Sequence, residues 1–322
     1  MTSQQAEIFD FIVNRRGGTV LKHGEDAVRA EVLSAFGKKA GTFAYVAGDE
    51  VVAAVRRWVG ENAGTRRCLV IGGGDGTLMS AVEQILGRDD VMLGVLPLGT
   101  QNFVARQLGF SADFKKAAAQ YKSGGSAGMD VGEVNGMHFL VGITLDRNSL
   151  DYFEGREQLR DNNRISALRK SFAAAAGVLG GKSSRFTVFS DESKAGREIE
   201  GRIVAITNNS IVPQAIRRLP YNMATYRDAV TRVMGKRKSA GKLSLYVFKG
   251  GLFGAPALAP DVLRGTWDAS KFIEKETAAR FLVRDGGAGG EKSIILDGEI
   301  KKVQYPLKVK IIPRGVKMFR PE

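Results

Sequence analysis

Three short stretches hold residue types whose spacing suits chemistry on phosphates. Gly73-Gly74-Asp75-Gly76-Thr77 follows the apolar run Cys68-Leu69-Val70-Ile71 and opens a segment with Leu78, Val82, Ile85 and Leu86 at helical spacing. Pro97-Leu98-Gly99-Thr100-Gln101-Asn102 ends a second apolar run, Val91 to Leu96, and starts another helix carrying Phe103, Ala105 and Leu108. Each turn therefore sits at a helix N-terminus, where free N–H groups and the helix dipole favour a phosphate. The glycines permit close backbone approach, and Thr77 and Thr100 add hydroxyls. The third stretch is Asp297-Gly298-Glu299. Its two carboxylates suit proton transfer or metal binding, and the same residues read as an Asp-Gly hairpin turn between Ile295 and Ile300.

The elements around these turns follow from periodicity. Ile8 to Val13 reads as a strand ending in the polar turn Asn14-Arg15-Arg16-Gly17-Gly18. Gly24 to Phe36 has the spacing of a helix, Thr42 to Val46 of a strand, and Val51 to Val59 of a helix with Asp49 as its N-cap. Phe114 to Tyr121 is a short helix, and Ser123-Gly124-Gly125-Ser126 reads as a linker-like break. The order β-α-β-α-β-α-β-α predicts a parallel sheet with helices on both faces, bringing both glycine turns to one sheet edge.

After residue 126 the pattern changes to strands: Met129 to Val134, His138 to Leu145, Ser184 to Ser190, Ile199 to Asn208, Lys242 to Lys249, Ala279 to Val283, Ser293 to Leu296 and Leu307 to Ile312. Val134-Asn135-Gly136-Met137 is a hairpin signal. Helical patterns interrupt at Tyr152 to Val178 and Val262 to Lys271. The fold class expected is an α/β N-terminal domain with a parallel sheet, plus a mostly antiparallel β-sandwich C-terminal domain. The domains are read as 1–125 and 126–312, with the final strand, about 313–322, packing back onto the first.

Composition sets the outer limits. A chain of 322 residues is long enough for two domains of about 100–200 residues each. A single cysteine, Cys68, leaves no internal disulfide and reads as a small core residue in a reducing compartment. Lys and Arg number 48 against 34 Asp and Glu, a net charge of +14, which points to an anionic partner. No apolar run approaches the roughly 18 residues of a spanning helix, and the N-terminus lacks a secretory pattern. A cytoplasmic protein with peripheral contact at the inner face of the membrane is expected.

The two glycine turns in this order, with Asp297-Gly298-Glu299 downstream, resemble the diacylglycerol kinase catalytic-domain family, bacterial lipid kinases included. That family is related to sphingosine kinases and, more distantly, to NAD kinases. Asp130-Val131-Gly132 resembles the family's junction strand, Leu243 to Phe248 the strand after its D-G-L-L motif, and Val309 to Pro313 its closing strand. The resemblance spans nearly the whole chain. It implies an ATP-dependent lipid kinase that phosphorylates a hydroxyl such as that of diacylglycerol. Asn14, Gly17, Gly73, Gly74, Asp75, Gly76, Thr77, Thr100 and Asn102 would hold the nucleotide. Glu299 would accept the hydroxyl proton with Asp297 as its partner, and Asp75 completes the catalytic set. Mg²⁺ would arrive on the nucleotide.

Four places depart from the family pattern, among them Ala44, where the family usually offers the nucleotide a threonine. Arg15 stands where its first turn has proline, and Phe103 where many members carry aspartate after the Asn. Ala240-Gly241-Lys242-Leu243 replaces the D-G-L-L motif, so a structural Mg²⁺ has no carboxylate to rest on there. Phe103 and Ala240 motivate an alternative reading, a catalytically weakened nucleotide- or lipid-binding regulator. An NAD kinase-like enzyme is a further alternative, which the G-T-Q-N-F-V stretch and the terminal D-G-E fit less well. Arg156, Arg160 and Arg164 recur at helical spacing and read either as a face for anionic lipid or as a solvated helix face. Arg66-Arg67, Arg217-Arg218 and Lys236-Arg237-Lys238 add charge without a pattern. No recognised nucleic-acid-binding module accompanies the charge, no Walker motif is present, and His23 and His138 lie outside any ligand spacing.

Overall fold

The computed structural model describes residues 6–100, 102–151, 181–193, 195–208, 241–250, 270–287 and 289–322. The chain divides into two compact units, Met1–Val131 with Ile312–Glu322, and Gly132–Ile311. The helical pattern from Tyr152 to Val178, with Arg156, Arg160 and Arg164, lies outside the described residues. So do Arg217, Arg218, Lys236 to Lys238, Ala240 and all but the last two residues of Val262 to Lys271.

The first unit runs β1 (Ile8–Asn14), α1 (Gly18–His23), α2 (Glu25–Phe36), β2 (Ala40–Val46), α3 (Val51–Asn62), β3 (Arg67–Gly73), α4 (Asp75–Val82), β4 (Met92–Pro97), α5 (Phe103–Gln107) and α6 (Phe114–Ala119), then enters β5 (Gly124–Val134). Strands β2-β1-β3-β4 lie side by side and parallel. Cys68 to Ile71 and Met92 to Leu96 are buried throughout, as strands covered on both faces require. Burial pushes the Cys68 thiol well above its ordinary range, in keeping with a core residue rather than a nucleophile.

Three local expectations need correction. Helix α1 starts at Gly18, the last residue of the expected polar turn, and fills a stretch to His23 that had no assigned element. Asp49 is not an N-cap: Gly48 to Glu50 form a 3₁₀ turn, and the Glu50 carboxylate accepts the Ala47 N–H at 2.8 Å. The glycines near 124 are strand rather than linker. A Cβ on Gly124, whose φ is 139°, would sit 2.3 Å from the Arg320 carbonyl oxygen, so glycine there reflects close backbone packing.

The chain's last strand, β16 (Leu307–Pro321), contributes its end to the first unit. Lys317 and Met318 pair in parallel with Met92 and Leu93. Phe319 stacks on Tyr121 at 4.5 Å between ring centroids, and Tyr121 also packs against Phe9, Phe36 and Phe110. The buried Tyr121 hydroxyl donates to the Val95 carbonyl at 3.0 Å, as a buried phenol needs.

The second unit is antiparallel. It holds β6 (Met137–Phe139), β7 (Gly142–Thr144), β8 (Ser184–Ser190), β9 (Arg197–Gly201), β10 (Ile203–Thr207), β11 (Leu243–Phe248), β12 (Ile273–Ala278), β13 (Arg280–Asp285), β14 (Gly290–Leu296) and β15 (Glu299–Tyr305), with the first part of β16. One sheet has the order β16-β13-β8-β9, and the other β12-β11-β10-β7-β14-β15. Ile143, Leu245, Val247 and Ile294 of the second sheet share one core with Phe186, Val188, Phe281 and Val309 of the first, which makes the unit a β-sandwich. The Asn135-Gly136 turn has φ of 47° and 85° and joins β5 to β6, with Val134 opposite Met137.

Two single-strand expectations resolve into pairs. Ile199 to Asn208 divides at Arg202, because β9 belongs to one sheet and β10 to the other. His138 to Leu145 divides at Leu140 and Val141, whose N–H groups bond to a side chain, Asp297, instead of a neighbouring strand.

Candidate active site

Three turns gather at the carboxyl ends of β1, β3 and β4, where ligands bind in open parallel sheets. They are joined by direct contacts. Asn14 Nδ2 donates to Thr77 Oγ1 at 3.1 Å, while Asn14 Oδ1 accepts the Arg16 N–H at 2.9 Å. Gly17 donates back to the Asn14 carbonyl at 2.9 Å, and Thr19 N–H reaches the Leu98 carbonyl at 3.0 Å. The Gly73 carbonyl accepts from Leu98 and Gly99 at 3.2 and 3.1 Å. A Cβ on Gly99 would come within 2.3 Å of the Gly74 Cα, so both turns can meet only as bare backbone. Thr100 is exposed, and its Oγ1 lies 3.7 Å from where a Cβ on Gly18 would stand.

The electrostatics of this edge favour an anion. In α4 the first intrahelical bond runs from Leu78 N–H to the Gly74 carbonyl, so the N–H groups of Asp75, Gly76 and Thr77 precede it and point out of the helix start. Thr77 Oγ1 accepts from Asn14 and keeps its own proton to donate. Gly76 is exposed, and Gly74 and Thr77 are half-buried.

Asp75 behaves differently from a free carboxylate. Its Oδ2 accepts the Phe103 N–H at 2.9 Å and its Oδ1 the Val104 N–H at 3.0 Å. It thereby caps α5, whose own N-cap residue, Asn102, makes no side-chain cap. Asn102, at φ 50°, exchanges two bonds with Gly99 instead: its Oδ1 accepts the Gly99 N–H at 3.0 Å, and its Nδ2 donates to the Gly99 carbonyl at 2.8 Å. Seven of the residues singled out from sequence, Asn14, Gly17, Gly73, Asp75, Thr77, Thr100 and Asn102, therefore belong to one connected group of turns.

Asp297 and Glu299 lie in the second unit, at the turn between β14 and β15. Asp297 and Gly298 have φ of 48° and 90°, and Leu296 pairs with Glu299, the geometry of a two-residue hairpin with positive φ at both central positions. The carboxylates diverge in role. Asp297 accepts three N–H groups, from Leu140 at 2.7 Å and from Val141 and Gly142 at 2.9 Å each, and returns its own N–H to the Gly142 carbonyl at 3.0 Å. Buried Asn208 braces the same loop, its Nδ2 donating to the Leu140 carbonyl at 3.1 Å. Glu299 is exposed and pairs with Lys301 at 2.8 Å. The bracing loop of Leu140, Val141 and Gly142 was not legible from sequence, because it uses only backbone groups of apolar residues.

The structural cation that the resemblance implies does not fit the residues present. Both Asp75 oxygens are bonded to N–H groups, Phe103 supplies no carboxylate, and Lys242 places an ammonium 2.5 Å from Glu192 in the motif's third position. Among the described residues no cluster of three or more His, Cys, Asp or Glu is placed to hold a metal ion. The buried carboxylate of Asp130 accepts the Arg314 N–H at 2.8 Å within the first unit.

Residues 9–134 match the diacylglycerol kinase catalytic domain. The match covers about two fifths of the chain and is a similarity to that domain. The chain is similar to the "Probable lipid kinase YegS-like" of Pseudomonas savastanoi, 34% identical over 137 residues, which are 40% of this chain and 43% of that relative. It is also similar to the "Diacylglycerol kinase" of Bacillus subtilis, 39% identical over 74 residues, 22% of this chain and 24% of that one. Each match thus spans less than half of the relative's length. In fold, the chain is similar to the crystal structure of a diacylglycerol kinase from Bacillus anthracis, with a TM-score of 0.62, 16% identity and coverage of 97% of this chain and 96% of that one.

All three glycine turns of the first unit fall inside the matched catalytic domain, and Asp297-Gly298-Glu299 falls beyond it. Among the described residues no helix is long and apolar enough to cross a membrane.

Proposed function

We propose that the protein is an ATP-dependent lipid kinase that transfers the γ-phosphate to a lipid hydroxyl, that of diacylglycerol or a related lipid. The observation that carries this reading is the joined set of turns at the ends of β1, β3 and β4. In this reading the N–H groups of Asp75, Gly76 and Thr77, with the hydroxyls of Thr77 and Thr100, bind the nucleotide phosphates. Such a cradle positions the phosphate and offsets its charge, and those two effects dominate phosphoryl transfer. Asn14 and Asn102 hold the turns in place, and Asp75 fixes α5 against α4.

The acceptor oxygen attacks the γ-phosphorus, the bond from that phosphorus to the β,γ-bridging oxygen breaks, and ADP leaves. The hydroxyl proton passes to a carboxylate. We assign that role to Glu299, because Asp297 already spends its oxygens on three N–H groups. Mg²⁺ carried by the nucleotide would neutralise phosphate charge, and no residue of this chain is assigned to it. Lipid as acceptor is supported by the lipid kinases the chain resembles.

A second reading is favoured by Phe103, which leaves the α5 start without the acidic side chain common in the family. In that reading the chain binds nucleotide but transfers no phosphate. One experiment separates the readings: labelled ATP is supplied with a total lipid extract, and any labelled product is identified by mass spectrometry. A phosphorylated lipid that disappears with Glu299→Gln supports the kinase. Calorimetric ATP binding with no labelled lipid supports the regulator.

A further inference from the structure

The outer face of one sandwich sheet carries a row of cations. Arg280, Leu282 and Arg284 alternate onto one side of β13, and Lys308 and Lys310 onto one side of β16. Arg280 lies opposite Lys310 and Leu282 opposite Lys308, while Leu282 also lies opposite Phe189 of β8. A shallow groove follows these residues, with half-buried Phe189 and Leu282 as its floor and Arg280, Lys308, Lys310 and Glu133 on its sides.

The acidic groups of the groove are already engaged. Glu133 pairs with Lys310 at 2.9 Å, and Asp191 Oδ1 accepts the Ala279 and Arg280 N–H groups at 3.1 and 3.3 Å. The Arg284 guanidinium lies 5.0 Å over the Phe189 ring. Arg280 and Lys308 are exposed, sit diagonally across the strand pair, and have no ion-pair partner among the described residues. Two cations with no ion-pair partner among the described residues, held on neighbouring strands beside an apolar floor, complement a surface that presents fixed anionic phosphates over apolar chains.

We propose that this sheet face docks on the anionic phospholipid surface of a membrane, with a headgroup phosphate held between Arg280 and Lys308. The docking is distinct from phosphoryl transfer and from the basic helix pattern at Arg156 to Arg164, and it does not rest on the kinase reading. Attraction of this kind is confined to about a Debye length and weakens with salt.

The test is co-sedimentation of the full chain with vesicles of phosphatidylcholine alone or mixed with phosphatidylglycerol. Binding is expected only to the mixed vesicles, falling as salt rises. The double variant Arg280→Glu/Lys308→Glu is expected to lose at least about tenfold in affinity. Lys38→Glu/Lys39→Glu, which makes the same charge change in the first unit, is expected to bind within about twofold of the parent. Arg280→Gln/Lys308→Gln, with its circular dichroism compared to the parent, guards against a folding defect and is expected to fall between the two. Equal loss in the Lys38/Lys39 variant, equal binding to phosphatidylcholine alone, or full displacement by soluble glycerol phosphate would overturn the proposal. So would self-association through this face in the absence of lipid, or preferential binding of RNA over vesicles.

Discussion

Asp75 caps a helix that is not its own: its Oδ2 accepts the N–H of Phe103, the first residue of the next βα unit's helix, at 2.9 Å. The carboxylate therefore ties the two glycine turns together. Removing it with Asp75→Ala strips the cap from α5, at a cost of about 1–2 kcal/mol, and frees Thr100 and Asn102 to shift. The expected outcome is a lower denaturant midpoint together with weaker ATP binding. Asp75→Asn keeps one acceptor oxygen and is expected to lose less of both. Unchanged ATP affinity in a destabilised Asp75→Ala would separate the cap from the nucleotide site and remove Asp75 from it.

The two carboxylates of the Asp297-Gly298-Glu299 turn are expected to fail in opposite ways. Asp297→Ala leaves three backbone N–H groups without their acceptor, and its expected cost is about 2–3 kcal/mol. Glu299→Gln loses only an exposed pair with Lys301, so stability is expected to stay within about 0.5 kcal/mol. Transfer to lipid is expected to drop by about 10² to 10⁴ if Glu299 takes the proton. Urea unfolding and labelled-ATP transfer, measured on both variants, check the pair. An active, stable Glu299→Gln rules Glu299 out as the base.

The glycine turns were legible because backbone geometry selects their sequence. Gly74 and Gly99 must meet without side chains, and each turn is bracketed by an apolar strand and a helical pattern. The parallel sheet was legible for the same reason, since buried strands such as Cys68 to Ile71 are continuous apolar runs. Strand β12 was not, because its half-buried Glu274 and Glu276 pair with Arg197 and Lys249 and leave little apolar alternation to read. The separate roles of Asp297 and Glu299 were also hidden. Spacing shows two carboxylates about a glycine, while the N–H groups that occupy Asp297 come from a loop some 150 residues earlier, whose residues, Leu140 to Gly142, look like the middle of a strand. The N–H partners of Asp75 were hidden in the same manner, because they belong to the next helix rather than to the one Asp75 opens.

Acid should act on the first unit through Asp10. This buried carboxylate receives Arg67 Nε and Nη2 at 2.6 Å each, Trp58 Nε1 at 3.0 Å and the Thr42 N–H at 2.7 Å. Burial pushes its pKa up, but the Arg67 guanidinium and the other donors outweigh this and hold it below the usual aspartate value of 3.8. A folded-state pKa below the unfolded one means the contribution is present above pH 3.8 and disappears as pH falls through the lower folded value. Asp10→Asn leaves Arg67 partly buried without its partner and is expected to cost about 3 kcal/mol at pH 7. Thermal unfolding at pH 7 and pH 3 is expected to show the gap between parent and variant narrowing in acid. A gap that stays constant or widens would contradict the assignment.

Arg15 fastens the first turn to the neighbouring strand. Its N–H donates to the Val46 carbonyl at 3.0 Å, and its Nη2 reaches the Tyr45 carbonyl at 3.2 Å. The turn is thus fastened to the end of β2 by an amide that proline lacks. Arg15→Pro removes both bonds and leaves the Val46 carbonyl without this donor. The expected result is destabilisation by about 1–3 kcal/mol, with ATP affinity falling because Asn14, next in the chain, positions Thr77. Arg15→Ala keeps the backbone bond and serves as the comparison, with a loss within about 0.5 kcal/mol. Denaturant midpoints for the two variants check the argument: equal values would mean that the Val46 bond contributes nothing and that the side chain alone matters.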